Sequence, residues 1–126
     1  MLACTEQENA TQLQKIIQQE KLRVGILVGQ STYYLDNDGE AGFEFELASA
    51  FADFLGVKLE VVPFFSRADI FPRLKNGNID IIASGLSLNK ERIKQYRFGP
   101  QYRTISQKLV FKQGNERPRN FSQLKG

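Results

Sequence analysis

Seven residues constrain this chain more than any others. Leu22, Arg23, Val24, Gly25, Ile26, Leu27 and Val28 form a nearly unbroken apolar run that stops at Gly29. A half-buried strand alternates apolar and polar positions, and an amphipathic helix repeats every 3.6 residues; this run does neither. It fits a strand covered on both faces, as in a parallel sheet flanked by helices. The following residues agree. Residues 43–55 switch to a helical period, with Phe43, Leu47, Ala50, Phe51, Phe54 and Leu55 on one face, predicted to meet the sheet. Glu44 and Glu46 lie in the first turn of that helix, where carboxylates serve the dipole, and Gly56 ends it. Lys58–Phe64 reads as a second strand. Pro63 cannot donate to a ladder and belongs near the strand end or at a sheet edge. Ser66 or Asp69 caps a second helix from about Ala68 to Asn76, with Pro72 expected in its first turn and Gly77 closing it. Ile79–Ala83 is the third strand. Strand, helix, strand, helix, strand predicts an α/β unit with a right-handed, mostly parallel sheet and the first strand in the middle.

The flanks are polar. Leu13, Ile16 and Ile17 predict a short amphipathic helix within 11–20. Residues 30–42 predict a hairpin flap turning at Asn37-Asp38-Gly39-Glu40. Asp36, Asp38 and Glu40 lack the later bidentate Glu of a calcium loop and read as a solvated turn, so no metal site is expected.

Composition narrows the chemistry. The chain has 126 residues, 41% hydrophobic and 25% charged, which is globular. It contains no His, which excludes Ser-His-Asp and Cys-His catalysis and removes the commonest metal ligand. A single Cys rules out an internal disulfide, and no apolar run reaches the length of a membrane-spanning helix. No cofactor is expected. Glu44 and Glu46 as a glycosidase pair are rejected, because both belong to the first turn of one helix. Twelve of the 14 acidic residues precede Ser87, and the charge beyond it is predominantly basic. That basic third has no nucleic-acid motif and reads as a solvated face or a site for an anionic ligand.

In a parallel sheet, ligands sit beyond the carboxyl ends of the strands. Segments 29–42, 64–68 and 84–92 lie there. The third, Ser84-Gly85-Leu86-Ser87-Leu88-Asn89-Lys90-Glu91-Arg92, leaves a strand and opens a helix capped by Asn89. Free backbone N–H groups, the Ser84 and Ser87 hydroxyls and the forked guanidinium of Arg92 are the parts of a carboxylate site. The plain alternative is a strand-to-helix turn with a surface Arg.

Leu22-Arg23-Val24-Gly25, Gly42-Phe43-Glu44-Phe45-Glu46-Leu47-Ala48, Asn76-Gly77-Asn78-Ile79-Asp80 and Gly85-Leu86-Ser87 to Glu91-Arg92 resemble the bacterial extracellular solute-binding proteins for polar amino acids, from about residue 21 onward. Glu91 to Tyr96, Gly99-Pro100, Ser106 to Lys112 and Arg117-Pro118-Arg119 further resemble the membrane-bound lytic murein transglycosylases, which join a solute-binding-like module to a lysozyme-like domain. The resemblance implies the first lobe of a type II periplasmic-binding-protein-like fold. It implies an N-terminal tether and short helix over 1–20 and lobe one over 21–104. Residues 105–126 would then hold the crossover strand, Ile105–Lys112, and the start of a second lobe. It assigns Ser87 and Arg92 to the ligand carboxylate, Gly85 to a backbone contact with Ser84 beside it, and the stacking aromatic to Tyr33, Tyr34 or Phe65. Phe64 and Phe65 also read as core. The Asp that such receptors place after the first strand is replaced by Gly29-Gln30, so a peptide carboxylate from cell-wall fragments fits better than a free amino acid.

The implied function is ligand sensing for a peptidoglycan lytic transglycosylase whose catalytic Glu lies in the other domain, so no catalysis is expected of this chain. Its ligand is an amino acid, peptide or muropeptide. Ala3-Cys4 before a polar stretch resembles a lipoprotein start, which makes Cys4 a lipidation candidate. That implies the periplasmic face of the envelope, outer-membrane anchored, with membrane contact through this anchor alone. The alternatives are the receptor of an amino-acid ABC importer and the sensor domain of a signalling kinase.

Overall fold

The computed structural model describes residues 11–124; Cys4 and its lipoprotein reading lie outside them. Helix α1, Gln12–Gln19, starts at a capping box in which Thr11 Oγ1 accepts from the Gln14 N–H and the Gln14 side chain accepts from the Thr11 N–H. Strand β1, Lys21–Leu27, follows at once. A small hairpin, β2 (Tyr34–Asp36) and β3 (Gly39–Ala41), turns at Asn37-Asp38 as predicted. Then come α2 (Phe43–Leu55), β4 (Lys58–Phe64), α3 (Arg67–Lys75), β5 (Ile81–Ile82) and α4 (Lys90–Gln95), with a 3-10 turn at Phe121–Leu124.

The main sheet has the order β4-β1-β5 and is wholly parallel, so β1 is central. Pro63 lies on the edge strand β4. Leu22, Val24 and Ile26 are fully buried on one face of β1, against Ile16 of α1 and Ala48 and Ala52 of α2. On the other face Ile70 of α3 packs with Phe64 and Ile79. Each aliphatic side chain so buried stabilises the fold by about 1.5–3 kcal/mol. Gly25 is on this second face because space demands it. A Cβ there would stand 2.6 Å from Ile79 Cδ1 and 3.1 Å from Ile70 Cγ1.

Four expectations need correction. The face of α2 that meets the sheet is Glu44, Phe45, Ala48, Ala52 and Leu55, while Phe43, Leu47, Ala50, Phe51 and Phe54 are exposed. The two stripes are offset by one residue, about 100° around the helix. The alanines win because a small side chain lets the helix axis approach the sheet. Pro72 lies in the second turn of α3, not the first. The third strand is a two-residue ladder, extended by single bonds from the Asp80 and Ala83 N–H groups to the Arg23 and Gly25 carbonyls. Residues 105–112 form no strand; a ladder needs a partner, and none of the described residues pairs with them.

Candidate functional site

The carboxyl end of β1 is built by groups from three segments. The Leu27 N–H donates to Ser84 Oγ at 2.9 Å, and the Leu27 carbonyl accepts from the Thr32 hydroxyl. Ser84 is buried, and its hydroxyl oxygen, which the sequence offers to a ligand, accepts this N–H at the sheet end. Gly85 follows with φ +58°, a left-handed turn that favours glycine and carries the chain out over the sheet.

The exposed Ser87 and the half-buried Arg92 come together. Asn89 Oδ1 caps α4 by accepting from the Arg92 N–H at 2.8 Å. Arg92 then turns back: its Nη1 donates to the Ser87 carbonyl at 3.1 Å and reaches Ser87 Oγ at 3.4 Å. Its guanidinium lies 5.5 Å from the centre of the Phe71 ring, within the range of cation–π attraction. Phe71 in turn packs on Tyr96 with ring centres 5.0 Å apart. One N–H of five is thus clearly committed, and the fork stays accessible over an aromatic floor. A cleft of about 320 Å³ opens there, lined by Phe71, Asn89, Glu91, Arg92, Gln95 and Tyr96.

The aromatic candidates separate. Tyr33 is a core residue: it is buried, its ring meets Phe45 at 6.0 Å, and its hydroxyl donates to Glu40 Oε1 at 2.7 Å. That bond, with burial, raises the Tyr33 phenol above its ordinary value. Tyr34 sits exposed on β2, and Phe65 stands 88% exposed just past β4. Neither makes a hydrogen bond or ring contact with Arg92. Phe71, the ring that does meet Arg92, comes from α3, and no local sequence signal ties it to the 84–92 segment. Glu44 was missed too. It is 1% exposed, and its Oε2 accepts from the Tyr102 hydroxyl at 2.8 Å. It lies in the first turn of α2, as the sequence places it, and is sealed from solvent. Among the described residues no cluster of His, Cys, Asp or Glu could hold a metal ion, and no helix is long and apolar enough to cross a membrane.

The sequence pattern of the bacterial extracellular solute-binding proteins, family 3, matches residues 22–124. The chain belongs to that family. It is 60% identical over 126 residues to the membrane-bound lytic murein transglycosylase F of Pseudoalteromonas translucida, covering 100% of this chain and 27% of that protein. The Vibrio parahaemolyticus protein of the same name is 48% identical over 119 residues, 94% of this chain and 23% of its own. The chain thus spans about a quarter of the length of these relatives. Among solved structures, the arginine-bound domain 1 of TmArgBP superposes with a TM-score of 0.57 at 33% identity, over 64% of each chain. An ancestral cyclohexadienyl dehydratase gives 0.68 at 32% identity, over 75% of this chain and 39% of that one. The fold is the α/β lobe seen as domain 1 of arginine-binding proteins: a parallel three-stranded sheet flanked by helices.

Proposed function

We propose that this chain is the ligand-sensing module of a peptidoglycan lytic transglycosylase, and that it captures the carboxylate of an amino acid or cell-wall peptide at Ser87 and Arg92. The observation that carries this reading is the posture of Arg92. Its guanidinium is steadied by Ser87 and laid on Phe71, with donors left over for a planar anion. Gly85 lends backbone to the site, and residues 105–126 lead from lobe one, 21–104, toward a second lobe that would close on the ligand. The module itself carries no catalysis and stands on the periplasmic side of the outer membrane, anchored through Cys4. The identity to lytic transglycosylases along the whole chain supports this assignment. The arginine-bound domain 1 of TmArgBP favours a second reading, a receptor for free amino acids, and shows that a single lobe of this kind in another protein holds a ligand.

An Arg–carboxylate hydrogen bond contributes about 1.5–3 kcal/mol in a closed site and about 0–1 kcal/mol in an open one. Calorimetry with L-arginine and with a stem tripeptide of peptidoglycan separates the readings. The sensing role requires the tripeptide to bind more tightly. For the isolated chain, affinity should be no better than about millimolar, with Arg92→Ala changing it by less than about fivefold. In the two-lobed protein, Arg92→Ala should weaken binding at least tenfold, and Arg92→Lys should recover only part, because Lys lacks the planar fork. Unchanged affinity of the two-lobed protein after Arg92→Ala would return Arg92 to the surface.

A further inference from the structure

Three segments far apart in sequence meet at one buried carboxylate. Glu44 comes from the first turn of α2, Gly85 from the start of the ligand loop, and Tyr102 from the segment that leaves the lobe. Tyr102 donates to Glu44 Oε2 at 2.8 Å. Glu44 Oε1 lies 3.3 Å from where a Cβ on Gly85 would stand, so the loop rests directly on the carboxylate. That oxygen is buried and has no hydrogen-bond partner among the described residues. Tyr102 is half-exposed as a residue, yet burial of its phenol, with the Glu44 bond, pushes its pKa up to about 12. Its ring also meets Phe43 at 6.1 Å, and Arg103 lies 5.8 Å from the same Phe43 ring.

An orphaned buried acceptor is destabilising, and a purely packed corner would be better served by an apolar side chain. Here the charge stands under the one left-handed residue of the ligand loop. Tyr102 bridges it to the exit segment, which otherwise has no regular structure over 101–112.

We propose that Glu44 and Tyr102 form a latch: they hold the Gly85 turn in place and so couple the ligand loop, 84–92, to the segment that leaves the lobe. Both are positioning residues, since neither reaches Ser87 or Arg92. This deepens the proposed function, on which it rests for the identity of the site. Coupling of this kind is reciprocal: whatever fixes the loop fixes the path of the exit segment, and the reverse. In a two-lobed protein that path sets where the second lobe begins.

The experiment has a ligand-free arm and a ligand arm, both read by amide NMR on the 126-residue chain. Tyr102→Phe and Glu44→Gln keep size and shape, and retained protection of the Val24 and Ile26 amides reports that the sheet is intact. Without ligand, both variants should speed exchange of the Gly85 amide at least tenfold and shift the Arg103 amide. An unchanged Gly85 amide in both overturns the latch, whatever the ligand does. In the ligand arm, L-arginine added to the wild-type chain should move Ser87 and Arg92 and also Arg103 and Thr104. In Tyr102→Phe the first pair should still move and the second should not, with Kd raised about threefold to tenfold. Transmission to Arg103 and Thr104 that survives Tyr102→Phe overturns the coupling, because a merely structural loss would not cut one pair from the other. Binding of L-arginine by the two-lobed protein that is indifferent to Arg92→Ala would sink the carboxylate reading instead, and the ligand-free arm still decides the latch.

Discussion

Asp80 is the ionisable residue on which the lobe depends most. Its side chain is almost fully buried between α1 and the start of β1. It accepts from Arg23 Nε at 3.1 Å, Arg23 Nη2 at 2.7 Å, the Arg23 N–H at 2.8 Å and Gln12 Nε2 at 2.7 Å. Burial pushes its carboxyl up, but the Arg23 hydrogen bonds and charge, with the Gln12 bond, outweigh that and hold it below its ordinary 3.8. A folded-state value below the unfolded one contributes stability that is present above about pH 4 and lost as pH falls through the folded value. Chemical denaturation across pH should therefore show a decline below about pH 4. Asp80→Asn should flatten that limb and cost about 3 kcal/mol at neutral pH, because Arg23 is left half-desolvated without its charge partner. An acid limb in Asp80→Asn as steep as in the wild type would assign the decline elsewhere. Gly25 gives a second test. The Ile79 contact leaves no room for a methyl, so Gly25→Ala should destabilise by about 1–3 kcal/mol through overpacking.

At the scale of the element, α2 shows how helical periodicity misleads. The helix is apolar around most of its circumference, so two stripes compete for the sheet. Aromatic bulk favours Phe43, Leu47, Phe51 and Phe54; close approach favours Ala48 and Ala52, and close approach prevails. Phe54 is left 84% exposed. In this chain Phe54→Ser should change unfolding free energy by no more than about 0.5 kcal/mol, the ordinary range for surface positions. Ala52→Leu should cost about 1–3 kcal/mol by forcing the helix off the sheet. The reverse order in a urea titration would restore the aromatic stripe to the core. The hairpin and α4 were easier to read, because a turn rich in Asn, Asp and Gly and an Asn N-cap act through local hydrogen bonds.

At the scale of the whole molecule, the chain should cleave no glycan. It has no His, and Glu44 and Glu46, two residues apart on a helix, point about 200° apart, with Glu44 buried under Tyr102. Peptidoglycan incubated with the purified chain should release no anhydro-muropeptides above a boiled control. The alkaline limit of the fold is shared by two raised phenols, Tyr33 and, with the larger shift, Tyr102. The folded value of Tyr102, about 12, stands above the ordinary 10.0, so its contribution is complete below about pH 10 and is lost as pH rises toward 12. Stability should fall over that window in the wild type and fall less in Tyr102→Phe, as followed by far-UV circular dichroism. Equal slopes for the two proteins would remove Tyr102 from the account.

The sequence by itself determined what depends on near neighbours. The nearly unbroken run at 22–28 demanded a strand covered on both faces, the switches of period laid out the parallel lobe, and Asn89 marked the start of the helix that carries Arg92. Those are short-range facts, set by backbone geometry and caps. Tertiary structure alone decided which arc of α2 faces the sheet, that Tyr33 is core, that Phe71 is the ring under Arg92, and that Glu44 is sealed beneath Tyr102 and Gly85. Each of these depends on residues in different elements, where the outcome is set by the room between packed elements and by which donor reaches a buried acceptor. No local pattern of side chains records either quantity.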